Sequence, residues 1–250
     1  MSITAFDLGL TSPGTRGTYL HQDWAQRISE IAFPPGLQES LSKTAEKIIA
    51  AALPANLAGI KNISFNRIEQ LADEGITLYM VPRGAIAKKL LNADSPQAGR
   101  NILGRHMPII LDDCEAVLNR SVSTKTMKET AFTRKAVNAA RSGHTEAAQA
   151  LAANTIDTLL IQTFGWKTSR SITKQTPARR EDLRKESVRY FMTMAPIWSA
   201  YQEFWGNDPT PTTFSRHATA HAVGPRQFSQ RSTIQAIMLA TAFIAWRNKL

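Results

Sequence analysis

Cysteine is almost missing from this chain: Cys114 stands alone among 250 residues. That excludes an intramolecular disulfide framework and any zinc cluster built from the chain's own cysteines, and it makes a reducing, cytoplasmic setting the expected one. Long apolar runs are missing too. The longest, Ile234 to Trp246, is interrupted by Gln235 and Thr241 and falls short of the roughly 20 residues a membrane helix requires, so no membrane association is expected. The opening from Met1 to Leu10 has no basic region ahead of an apolar one, so no signal peptide is expected either. No G-x-S-x-G elbow and no glycine-rich phosphate loop occurs, which removes serine-hydrolase and nucleotide-driven chemistry from consideration. Low-complexity tracts and internal repeats are absent.

Acidic residues are in the minority. Twenty Asp and Glu face thirty Lys and Arg, leaving a formal charge of +10 that favours polyanionic partners such as RNA, DNA or anionic lipid. The densest basic cluster runs from Lys167 to Arg189.

What is present is mostly helical periodicity. Residues 1 to 33 read as a loop-rich opening, and Leu37, Leu41, Ala45, Ile48, Ile49 and Ala52 then follow helical spacing up to Pro54. Phe65 to Ala72 predicts a short helix. Ile76 to Val81 is the one strand candidate, expected either to pair with the amino-terminal segment or to pack as extended chain. Pro82 and Pro96 are placed to open helices, the second interrupted near Pro108. Four long helices are expected beyond: Thr126 to Ser142, Gly143 to Phe164, Ala178 to Phe204 and Phe228 to Asn248. Gly165 to Pro177 and Gly206 to Pro211 read as connections. The predicted fold is mainly α: residues 1–123 form a smaller, mostly helical region of unassigned role, and residues 124–250 form an up-and-down helical bundle.

Chemistry concentrates in Phe214-Ser215-Arg216-His217-Ala218-Thr219-Ala220-His221. An arginine is a permanent, planar phosphate clamp, and a histidine exchanges protons near neutral pH. Together they suffice for RNA transesterification, which needs a base for the 2′-hydroxyl, positive charge for the phosphorane and no metal. Eighteen arginines and five histidines produce three Arg-x(4 to 6)-His spacings: Arg16 to His21, Arg100 to His106 and Arg216 to His221. Arg100 also has a polar follower, Asn101, but that pair precedes Pro108 and no closing helix follows it; small neighbours and a long closing helix select Arg216 to His221.

This segment resembles the signature of the HEPN ribonucleases: an arginine, a polar residue, a few further residues and a histidine, at or just before the last long helix of a helical bundle. The resemblance covers residues 124–250. It implies that His221 is the catalytic histidine, that Arg216 binds phosphate and stabilises charge, and that His217 orients the pair or contacts RNA. It also implies a homodimer with RNA as substrate, no cofactor, and a role as a toxin or in phage defence, with an antitoxin or other regulatory protein as a partner.

Other readings compete. His217 and His221, four residues apart, suit a shared zinc ion, with Asp112, Asp113 or His106 as further ligands, but Ala218 stands where the H-E-x-x-H arrangement has its glutamate. Asp112, Asp113 and Glu115 read as structural acids. A nucleic-acid-binding module without catalysis would use the basic stretch, with Arg179, Arg180, Arg184, Lys185 and, after the signature, Arg226 contacting RNA while Trp166, Tyr190 and Phe191 stack on bases. A bundle that only mediates dimerisation is the third reading.

Overall fold

Polar side chains open the helices in the manner expected of N-caps, each stabilising its helix by about 1 kcal/mol. The computed structural model describes residues 53–205, 208–221, 223–224 and 226–249. Ser95, Thr176, Ser187 and Ser229 each accept a hydrogen bond from the backbone N–H three residues on. Eleven α-helices result: α1 Phe65–Asp73, α2 Gly84–Leu91, α3 Pro96–Arg105, α4 Met107–Arg120, α5 Met127–Arg141, α6 Thr145–Phe164, α7 Trp166–Thr173, α8 Pro177–Arg184, α9 Val188–Ala200, α10 Arg216–His221 and α11 Gln230–Arg247. The expected loop-rich opening, the helix from Leu37 to Ala52 and the pair Arg16 and His21 lie outside the described residues.

The fold is a helical bundle with α11 at its centre. From Ser232 to Ala245 every residue of α11 is buried, and α3, α4, α5, α6 and α9 pack around it. A helix buried on all sides cannot have a polar face. That is why Ile234 to Trp246 is the most apolar run in the sequence, and it also makes the arrangement less simple than four helices in up-and-down order. No helix among the described residues is long and apolar enough to cross a membrane.

Three expectations are corrected. No strand occurs among the described residues. Ile76 to Val81 is irregular chain that bends at Tyr79 and Met80, where Met80 has φ 64°, and it reads like a strand because it is buried almost throughout. Side chains rather than a ladder serve it: Asn56 Nδ2 donates to the Leu78 and Pro82 carbonyls at 3.1 and 2.8 Å, and Thr77 Oγ1 donates to the Met192 carbonyl at 2.8 Å. The connection from Gly165 to Pro177 contains α7, which buries only Ser169 and Ile172, too narrow a stripe to stand out in sequence. The single helix expected from Ala178 to Phe204 is two, because the Ser187 hydroxyl accepts from Tyr190 N–H and starts α9 afresh.

One hydrophobic core runs from Leu57 to Ala245 and takes in both sides of position 123. The described part of residues 1–123 therefore has no core of its own. Helix α4 packs on α11 and α5, and α1 packs on α9.

Candidate active site

Helix α10 is one and a half turns long and is held by side chains from elsewhere. Phe214, just before it, is almost fully buried, and its N–H donates to Gln235 Oε1 on α11 at 2.8 Å. Ser215 Oγ accepts from Ala218 N–H at 3.1 Å. On the inner side, Ala218 is fully buried, which only a small side chain allows. Gln149 of α6 donates to Thr219 Oγ1 at 2.8 Å and to the Gln227 carbonyl at 3.2 Å, and the Gln227 amide in turn donates to the Ala218 carbonyl.

So anchored, α10 presents Arg216 to Asp157, the one carboxylate in the apolar run Ile156 to Ile161 of α6. Arg216 Nε and Nη2 both donate to Asp157 Oδ2, at 2.8 and 2.6 Å. Asp157 Oδ1 accepts from the Tyr201 hydroxyl, and the Arg216 guanidinium lies 6.0 Å from the Tyr201 ring centroid. Burial, reinforced by the adjacent carboxylate, pushes the Tyr201 phenol well above its ordinary range, so it stays protonated as the donor. Burial is the largest influence on Arg216 and opposes its charge, but the hydrogen bond to Asp157, the Asp157 charge and the contribution of Tyr201 together outweigh it and raise the pKa. The guanidinium is thus a fixed cation with N–H groups left over.

His217 meets Tyr201 edge-on at 6.1 Å and stacks with His221 at 6.2 Å between ring centroids, 25° from parallel. Burial, then the Arg216 and His221 charges, hold the His217 imidazole below its usual range, against the opposing pull of Asp157 and Glu203. The surroundings thus favour its neutral form. Arg216 and His217 line a cleft of about 210 Å³ together with Asp157, Tyr201, Trp166 and Arg170. His221 is exposed at the end of α10 and is not part of the lining.

The remaining candidates separate from this site. Arg180 pairs with Asp73 at 2.6 Å, and Arg184 pairs with Glu69 at 2.5 Å and with Glu181 at 3.3 Å. Arg179 donates to the Ile172 carbonyl and the Tyr190 hydroxyl, both at 3.3 Å. These three arginines tie α8 to its surroundings, while the Arg180 and Arg184 side chains stay 38% and 40% exposed. Lys185 is exposed, 3.8 Å from Asp182, and Arg226 is exposed beyond α10. Tyr190 packs against Trp246 and Phe191 is buried, whereas Trp166 is exposed. The decoy Arg100 pairs with Glu74, and His106 sits 3.1 Å from Lys89 Nζ. Asp113 pairs with Arg83, and Asp112 and Glu115 both hold Arg141. Among the described residues no group of three or more His, Cys, Asp or Glu side chains converges.

Asp157 and Tyr201 are the site residues that the sequence did not point to. A lone acid within an apolar helical run is a usable signal for the first; nothing local marks the second. Comparison with protein-family models, curated proteins and solved structures finds no match to this chain in any of the three.

Proposed function

We propose that the cleft is the active site of a metal-independent endoribonuclease acting by 2′-hydroxyl transesterification, the reaction that the resemblance to HEPN ribonucleases implies. The observation that carries the proposal is that one cleft joins a guanidinium fixed by Asp157 to an imidazole kept neutral by its surroundings, with a second imidazole stacked on the first. Arg216 binds the scissile phosphate through the N–H groups that Asp157 does not engage, and its fixed charge stabilises the phosphorane. His217 and His221 divide the proton work. One takes the proton of the 2′-hydroxyl as its oxygen attacks phosphorus. The other gives a proton to the departing 5′-oxygen, leaving a 2′,3′-cyclic phosphate and a 5′-hydroxyl. The resemblance favours His221 as the catalytic histidine; the lining of the cleft favours His217 as the base beside Arg216. A homodimer, an antitoxin or regulatory partner and a toxin or phage-defence role belong to the same proposal.

The test is incubation of the purified protein with total and transfer RNA in EDTA, alongside folded Arg216→Ala, His217→Ala and His221→Ala variants. Cleavage by the parent that falls roughly 10²- to 10⁴-fold in the variants, with cyclic-phosphate ends, supports the reading and apportions the histidines. No cleavage, or equal cleavage by all four proteins, overturns it and leaves a binding or dimerisation module.

A further inference from the structure

We propose that the Trp166 and Arg170 wall of the cleft is a nucleobase-stacking subsite, so that the substrate is unpaired RNA. The inference rests on the reading of this cleft as an RNA site, but not on its chemistry. Trp166 opens α7 with 59% of its surface exposed, unusual for the largest apolar side chain, whose burial is ordinarily favourable. It is held in place nonetheless. Arg170, one helical turn on, sets its guanidinium 5.3 Å from the indole centroid, a cation–π contact that orders both side chains. The guanidinium lies over one face of the indole, so the opposite face is the flat surface offered to a base, with a positive charge close by for its phosphate.

The lining of the cleft carries two guanidinium groups from different helices, Arg170 of α7 and Arg216 of α10, together with the apolar side chains of Leu160 and Ile161. Two cationic groups suit a chain of successive phosphates better than a single anion. The size agrees: about 210 Å³ is below the roughly 300–1,000 Å³ of pockets that enclose a drug-sized ligand, so the cleft suits a single base and leaves the rest of the strand outside. The hydroxyls along the wall donate to the helix itself, Ser169 to the Trp166 carbonyl at 2.9 Å and Thr173 to the Ser169 carbonyl at 3.1 Å. Their protons are not directed at a base edge. Stacking therefore dominates, and every base has a face to stack. In a duplex both faces of a base are covered by its neighbours, so paired RNA cannot use this surface without first flipping a base out.

The experiment measures binding of a fluorescent 2′-O-methyl oligoadenylate, which cannot be cleaved, and of its duplex with the complementary strand. The parent full-length chain is compared with Trp166→Ala and Trp166→Phe, each checked by circular dichroism; since Trp166 is exposed, neither should disturb folding. Trp166→Ala should weaken single-strand binding roughly 5- to 150-fold, Trp166→Phe should recover most of it, and weaker duplex binding should be unchanged. Unaltered single-strand affinity in Trp166→Ala, parent binding of duplex as tight as of single strand, or no binding by the parent would each overturn the inference. If cleavage requires Arg216 but Trp166→Ala binds like the parent, this inference alone falls. If Trp166-dependent single-strand binding is found without cleavage, the ribonuclease reading alone falls.

Discussion

The anchor under Arg216 is a three-residue network, and its worth can be measured. Tyr201 is 8% exposed and its hydroxyl donates to Asp157. Removing that hydroxyl alone with Tyr201→Phe forfeits a hydrogen bond to a charged acceptor, about 1.5–3 kcal/mol. Asp157→Ala removes the same bond, strands the buried hydroxyl and releases Arg216. The Asp157 and Arg216 side chains are 22% and 26% exposed, so solvent screens their pairing and the expected total is about 3 kcal/mol. In a chain of this size that lowers Tm by roughly 6–12 °C. The informative variant combines both changes. With Asp157 gone, Tyr201→Phe no longer breaks a bond but removes an orphaned hydroxyl, and it should be neutral or return about 1 kcal/mol. The double-mutant cycle, read from urea midpoints at constant slope by circular dichroism, should therefore show a coupling of about 2–3 kcal/mol. Additivity of the two substitutions within about 0.5 kcal/mol would refute the network as the support of Arg216.

Three further outcomes follow from the same geometry. The His217 ring proton, followed by NMR, should titrate with a midpoint below the ordinary 6.5, and Arg216→Ala should move that midpoint upward by removing the nearby positive charge. Because the unfolded chain binds the proton more readily than folded His217, the residue opposes folding at pH values below its depressed folded midpoint, and that penalty is relieved as pH rises to the ordinary 6.5; His217→Ala should flatten that part of the stability profile. Arg184→Ala should lower stability by about 1 kcal/mol, since its pairing with Glu69 is partly exposed, while leaving affinity for single-stranded RNA within about twofold of the parent; a large loss of affinity would return α8 to the binding surface. Cys114 is fully buried and its thiol is pushed up to about 12, so a thiol reagent such as DTNB should modify it only after denaturant unfolds the chain, and rapid labelling of the native protein would contradict its place in the core.

Local physics made a good part of this molecule legible. Apolar spacing placed α5 to within about one residue of where it lies, because a helix with one buried face must repeat every 3.6 residues; α6 and α11 were placed to within about two, α11 by its long apolar run rather than by a periodic face. Proline and glycine marked most of the breaks. The spacing of His217 and His221 foretold that their rings would be neighbours, as residues four apart on a helix are.

What depends on partners distant in sequence was decided only by the tertiary structure. Arg216 meets Asp157 across 59 positions, and Arg184 meets Glu69 across 115. One pairing fixes a cation in a cleft; the other links α8 to α1. An arginine carries the same charge and reach in either case, so its own neighbourhood in sequence cannot distinguish them. Ile76 to Val81 has the composition of a strand because burial, not a ladder, selects its residues; Asn56 donates to its Leu78 carbonyl and the Thr77 hydroxyl accepts from its Tyr79 N–H. Trp166 and Arg170 are one helical turn apart, yet only the packing of α7 against α6 and α9 leaves that pair facing the same space as Arg216. Periodicity records which face of a helix is buried; which distant charge it meets is set by how the helices pack.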